Sequence, residues 1–357
     1  MFALLAALLL PVAVSEADCL EVYTASGLAD AEPTAHAVQG EVFVAVFEGE
    51  EIAAPVLNLN GAGEFAAFTA ADGRIVGCAR HELMDRAAFE FGLSADGAMR
   101  IAGMGEYLGE ARHADPSLYT SRSKDVTIAD EMIDSAHLSE PRRVSVYAPD
   151  ADQCPDRGCP VIYTGDIMAG DRHYNRALHA LIEQGRIAPV VMASTMPDMA
   201  RRGDEYARRQ RGDQTQARFE AHEAFFLEDF MGWVEAEFPV SKRREDRILF
   251  GYSNSAEFAI EMLERHPGLF GAAVAASPSL SRPVEITDPP DPRPVLRIAY
   301  GDWERPFADT IEAHGGTAEG VELSLRSTPA GHSKQAALEA LIDYLLDVHP
   351  GPEAPDR

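Results

Sequence analysis

Gly251-Tyr252-Ser253-Asn254-Ser255 lies between a short apolar run, Arg247 to Phe250, and a segment, Glu257 to Arg265, with helical spacing. A strand, a small-residue turn and a helix in that order read as a nucleophile elbow. There a serine occupies a strained turn, projects its Oγ above a sheet, and is followed by an N–H aimed at a developing oxyanion. Ser253 is the candidate nucleophile, Asn254 supplies the candidate oxyanion N–H, and Tyr252 is expected to face the substrate. Small neighbours are needed at such a turn. Gly251 is one, and Ser255 stands where a second glycine is usual. The plainer reading of the same residues is a serine capping an ordinary helix, so the decision rests on the residues carboxyl-terminal to the turn.

His266-Pro267-Gly268-Leu269-Phe270-Gly271 closes the helix and opens the apolar run Ala272 to Ala276. A further strand, Val295 to Tyr300, leads into Gly301-Asp302-Trp303-Glu304, and another, Val321 to Ser327, leads into Thr328-Pro329-Ala330-Gly331-His332. Serine, acid and histidine therefore each follow a strand, where open parallel sheets collect their catalytic loops. That order is the one used by α/β-hydrolases. Either Asp302 or Glu304 could accept from the histidine Nδ1–H and fix its tautomer. His332 is the expected general base. His314 is followed by Gly315-Gly316 and reads as the end of a capped surface helix. His173 lies in the loop after the Tyr163 strand, as a pocket-lining residue or an exposed helix start.

The segment from about Ser121 to His349 resembles the putative-esterase branch of the α/β-hydrolase superfamily, which includes enterochelin (siderophore) esterases, feruloyl esterases and S-formylglutathione hydrolases. The likeness is carried by Arg142-Arg143-Val144-Ser145-Val146-Tyr147-Ala148-Pro149, Pro160-Val161-Ile162-Tyr163-Thr164-Gly165-Asp166 and Arg186-Ile187-Ala188-Pro189-Val190-Val191. Arg202 with Glu205-Tyr206, the elbow, the helix end at His266, the acid block and Gly331-His332 extend it. Two departures stand out: Ser255, and Gly165-Asp166-Ile167 where the family more often has Asp-Gly. The resemblance implies a mostly parallel sheet with helices on both faces and a serine esterase acting through an acyl-enzyme. It selects Glu304 over Asp302 as the acid, and places the second oxyanion donor at Asp166, Ile167 or Met168, with Ile167 preferred. Arg202 and Glu205 are implied to lie near the substrate or to brace the loop beside the active site. No cofactor and no metal are implied, and the partner is a small-molecule ester. A non-catalytic binding protein on the same fold, or an acyltransferase, are the alternatives.

The 357 residues suffice for one large α/β core and a smaller domain. Residues from about Cys19 to Glu110 show short alternating apolar runs separated by Gly, Asp and Asn turns, a β-rich pattern. The expected division is a signal peptide over 1–17, a small β-rich domain over 18–115, the α/β-hydrolase domain over 116–350 and a frayed tail over 351–357. A formal net charge of -27 without a basic stripe argues against nucleic acid. The arginine-dense stretch Arg201 to Arg211 could meet an anionic substrate or pair with the chain's own carboxylates.

Met1 to Ser15 is apolar, short for a membrane span, and ends at Ser15-Glu16-Ala17, a small-x-small cleavage pattern. An exported, periplasmic or secreted protein without a stable membrane anchor is expected. Four cysteines suit an oxidising compartment. Cys154 and Cys159 bracket a turn-rich loop, which leaves Cys19 to pair with Cys78. The spacings do not suit zinc, and four free thiols remain the alternative.

Overall fold

A computed structural model describes residues 10–48, 54–95, 98–109, 128–166, 172–206, 213–305 and 307–352. The chain forms two compact units. One comprises residues 1–112, 300–308 and 327–336, and the other residues 113–299, 309–326 and 337–357. The boundary expected near residue 115 lies outside the described residues.

The first unit is built on an eight-stranded sheet of β1 (Val12–Ala13), β2 (His36–Gln39), β3 (Val42–Phe47), β4 (Val56–Leu59), β5 (Gly63–Thr69), β6 (Ile75–Arg80), β7 (Ala88–Ala95) and β8 (Ala98–Leu108). The strand order is β2-β3-β6-β5-β4-β7-β8, with β1 paired to β6, and every pair is antiparallel. The run Val42–Phe47 is apolar throughout because both its faces are covered. Phe43, Ala45 and Phe47 join a core with Leu57, Phe89 and Phe91, whereas Val42, Val44 and Val46 pack with Cys19 and Tyr23 of helix α1 (Glu16–Ala25). The Cys19–Cys78 disulfide ties α1 to β6.

Val12 and Ala13 pair with Arg80 and Ala79, and the Ser15 Oγ accepts from the Asp18 N–H at 3.2 Å as the N-cap of α1. Cleavage at Ser15-Glu16-Ala17 would remove both the strand and the cap. Residues 1–9, the rest of the expected leader, lie outside the described residues.

The second unit carries β9 (Ile128–Ile133), β10 (Arg142–Tyr147), β11 (Val161–Gly165), β12 (Val191–Thr195), β13 (Arg247–Tyr252) and β14 (Ala272–Ala276), and most of β15 (Val295–Gly301) and β16 (Glu322–Thr328). The strand order is β16-β15-β14-β13-β11-β12-β10-β9. Strands β12, β11, β13, β14 and β15 run parallel, while β9 and β10 are antiparallel additions at one edge. Every residue of β11, β12 and β14 is buried, the mark of strands covered on both faces. The helices are α2 (Arg172–Glu183), α3 (Arg202–Tyr206), α4 (Asp213–Ala224), α5 (Met231–Glu237), α6 (Asn254–Arg265), α7 (Phe307–His314) and α8 (Lys334–Val348). The loop before β11 is closed by the Cys154–Cys159 disulfide. The two cysteine pairings expected from the sequence are thus both present. Among the described residues no helix is long and apolar enough to cross a membrane.

Candidate active site

Ser253 follows β13 directly and starts α6 with φ 60 and ψ -125, a conformation an L side chain rarely adopts. Its N–H donates to the Ala276 carbonyl at 2.9 Å, which fastens the turn to the end of β14. Gly251 has no freedom to vary, since a Cβ there would fall on the Ser255 carbonyl. Ser255 fits the place of the usual second glycine through its own hydroxyl. The Oγ donates to the Tyr252 carbonyl and accepts the Tyr252 N–H, each at 2.9 Å, and the side chain is buried. Asn254 is the first residue of α6, so its N–H has no acceptor within the helix. β13 and β15 both run parallel to β14.

The acid and histidine belong to the first unit, and their geometry is tight. Glu304 is 0% exposed; its Oε1 accepts the Gly301 N–H at 2.5 Å and its Oε2 lies 2.6 Å from His332 Nδ1. A proton on Nδ1 donates to that carboxylate and leaves Nε2 as the ring's acceptor. The imidazole side chain is 15% exposed. Phe307 stacks against it, and Trp303, buried in the aromatic core beside Phe89 and His81, anchors the loop that presents Glu304. Asp302 is half-buried and gives its backbone N–H to the Thr328 carbonyl at 2.8 Å. Of the two acids that the sequence left open, Glu304 has its Oε2 at 2.6 Å from His332 Nδ1.

The remaining expected residues are placed differently from one another. Arg202 in α3 donates from Nε to Asp166 at 2.7 Å, and Asp166 follows β11 with φ 66. Glu205 is 4% exposed, with one oxygen on Arg142 and the other accepting the Asp198 N–H at 3.0 Å, so it braces the loop before α3. Burial pushes the Glu205 carboxyl above its ordinary range while Arg142 opposes the shift. Tyr206 closes over Gly165, where any Cβ would collide with the phenol. Arg201 and Arg202 of the arginine-dense stretch pair with Asp198 and Asp166; Arg208, Arg209 and Arg211 lie outside the described residues. Ile167 also lies outside them, and His173 is the second residue of α2, with a side chain that is not among those described. Tyr252 is half-buried at the end of β13.

Sequence reading missed Trp303 and Phe307 as supports of the Glu304–His332 pair. An aromatic on each side of the acid was visible, but nothing in the spacing said which core each would join.

The fold is α/β-hydrolase-like. The family model described as "Putative esterase" matches residues 135–328, more than half of the chain, and the chain belongs to that Esterase family. It is a carboxylic ester hydrolase. The matched range includes Ser253 and Glu304 and stops short of His332. The enterobactin esterase from Shigella flexneri, in a structure determined in the presence of enterobactin, aligns with a TM-score of 0.67 at 13% identity, covering 92% of this chain and 99% of its own. The ferric enterobactin esterase from Salmonella typhimurium aligns with a TM-score of 0.65 at 13% identity, covering 91% and 98%. At that identity the likeness is one of fold. No curated protein matches the chain in sequence.

Proposed function

We propose that the protein hydrolyses carboxylic esters by a two-step acyl-enzyme mechanism with Ser253 as nucleophile, His332 as general base and then general acid, and Glu304 as the group that orients the imidazole. The carrying observation is the pair of strained and tight features at strand ends: Ser253 held at φ 60, and Glu304 held 2.6 Å from His332 Nδ1. In the first step His332 Nε2 takes the Ser253 proton as Oγ bonds to the ester carbon. The tetrahedral intermediate collapses by releasing the alcohol, which leaves with the proton from His332. Water then attacks the acyl-serine with the same base and releases the acid. The Asn254 N–H and a second N–H from the segment after Asp166, assigned to Ile167, hold the oxyanion. No metal or cofactor takes part in this scheme.

Ser255 would count towards a non-catalytic reading if it disturbed the elbow. Its two hydrogen bonds to Tyr252 account for the departure from glycine without such a disturbance. The substrate class proposed is an aryl or catecholate ester of siderophore type, supported by the fold shared with the enterobactin esterases over most of both chains. Arg202 and Tyr252 are the described residues proposed to border it. Export is proposed on the two disulfides and the apolar N-terminal run.

The test is labelling with a fluorophosphonate followed by peptide mapping, beside turnover of p-nitrophenyl and aryl esters. Stoichiometric label on Ser253, and loss of turnover by at least about 1,000-fold in a folded Ser253→Ala variant, are expected. Undiminished turnover by that variant would rule the mechanism out.

A further inference from the structure

We propose that Asn60, in the amino-terminal β-rich part of the chain, is a positioning residue for His332. This rests on the reading of His332 as the general base. Asn60 follows β4 and meets His332 across 272 positions of sequence. Its backbone carbonyl accepts the His332 N–H at 2.8 Å, and its side-chain Nδ2 donates to the His332 carbonyl at 2.9 Å. One residue thereby engages both backbone polar groups of the histidine.

Asn60 is itself fixed. Its N–H donates to the Glu90 carbonyl at 2.9 Å, and the same Nδ2 donates to Glu90 Oε2 at 3.1 Å, so β7 holds the amide in the orientation that His332 uses. The next residue, Gly61, has φ +79 and presses against the histidine. A Cβ there would lie 2.8 Å from His332 N, 3.0 Å from His332 Cβ and 3.1 Å from Glu304 Cβ. Glycine is required here both for its backbone angle and for the approach. On the other side, Gly331 donates its N–H to the Ala88 carbonyl at 3.1 Å, and Ala88 donates to Pro329 at 3.2 Å. Residues 329–332 are therefore docked against the turn after β4 and the start of β7.

The two anchors divide the work. Glu304 sets the rotation and tautomer of the ring, while Asn60 sets the backbone from which the ring hangs. A general base serves only when Nε2 is within hydrogen-bond reach of the hydroxyl, and an error of about 1 Å costs on the order of 100-fold in rate. Release of the His332 carbonyl should therefore slow the chemical step while leaving substrate affinity intact.

The experiment uses the full-length protein and steady-state kinetics on a p-nitrophenyl ester, with thermal unfolding in parallel. Asn60→Ala and Asn60→Asp both remove the Nδ2 donors; the aspartate keeps the shape and serves if the alanine does not fold. Both are expected to lower kcat by about 10- to 100-fold with KM within about 2-fold of the parent. Asn58→Ala, in β4, which removes an amide bonded to Glu64 of the neighbouring β5, is the control and should keep kcat. In a His332→Ala background, Asn60→Ala should cause no further loss, because the two residues act as one unit. A folded Asn60→Asp variant with parental kcat overturns the proposal while His332→Ala remains inactive. Equal losses in the presence and absence of His332 also overturn it, since Asn60 would then act elsewhere. Full activity of His332→Ala overturns the base assignment itself, and this proposal with it.

Discussion

The Phe307 ring lies flat against the His332 imidazole, with centroids 4.9 Å apart and planes inclined by 15°. The imidazole is therefore held at one edge by a carboxylate and over one face by an aromatic ring. Phe307→Ala removes the face contact and leaves the Glu304 bond. On a p-nitrophenyl ester kcat is expected to fall by about 10-fold with little change in KM, the signature of a mispositioned base. An unchanged kcat would show that the carboxylate alone fixes the ring.

Glu304→Gln keeps the shape of the acid but replaces the negative charge that stabilises an imidazolium. A loss of about 100- to 10,000-fold in kcat is expected. Asp302→Asn should leave kcat within about 2-fold, because Asp302 is tied in by its backbone and the carboxylate of Glu304 already meets His332. Comparable losses for both would return the acid to the two candidates read from the sequence.

The Cys19–Cys78 bond closes a loop of 59 residues between α1 and β6. Chain-entropy reasoning puts its stabilisation at about 4 kcal/mol, with measured values for native bonds commonly about 2–5. The double variant Cys19→Ala/Cys78→Ala should lower the urea midpoint accordingly and make the protein insensitive to reductant at that site. The Cys154–Cys159 loop has a separation of only 5 and should contribute less.

His222 is fully buried among Tyr206, Phe225 and Phe258, with Glu205 3.7 Å away. Burial, reinforced by the charge of Arg142, pushes its pKa from 6.5 down to about 3. Between those values the unfolded chain binds a proton that the folded protein refuses. The contribution is therefore fully present above pH 6.5 and is lost as pH falls, at up to about 1.4 kcal/mol per pH unit. Glu205 works in the opposite direction, because its raised pKa makes the folded state take up a proton first. His222→Phe isolates the histidine, and its unfolding free energy should fall less between pH 7 and about pH 5 than that of the parent. Parallel losses in urea titrations at the two pH values would refute this.

Much of the site was legible because elbow chemistry is local. Gly251, Ser253 and Ser255 lie within one turn, and the small side chains announce the backbone they permit. The acid could be narrowed only to Asp302 or Glu304 from the residues, since two positions in the same loop differ in direction and not in composition. The resemblance chose Glu304, and the fold supplies the cause: Trp303 enters the aromatic core and its successor turns towards His332. Glu205 read both as a substrate contact and as a brace of the loop beside the site, and its partner Arg142, 63 residues earlier, was not visible from the block itself. Asn60 and Gly61 read as an ordinary turn between strands. Their pairing with His332 spans 272 residues and leaves no periodic or local signal.

The membership of residues 300–308 and 327–336 in the same compact unit as residues 1–112 has a consequence for biosynthesis. The portion made first on the ribosome has an aromatic core that lacks Trp303, and a docking site at Asn60 that must wait for His332. Contacts of such long range form late and slow folding. The proposed base consequently gains its anchor only once His332 itself has been made, so translation products that end between residues 300 and 328 should carry the elbow without a fixed histidine and remain inert towards esters.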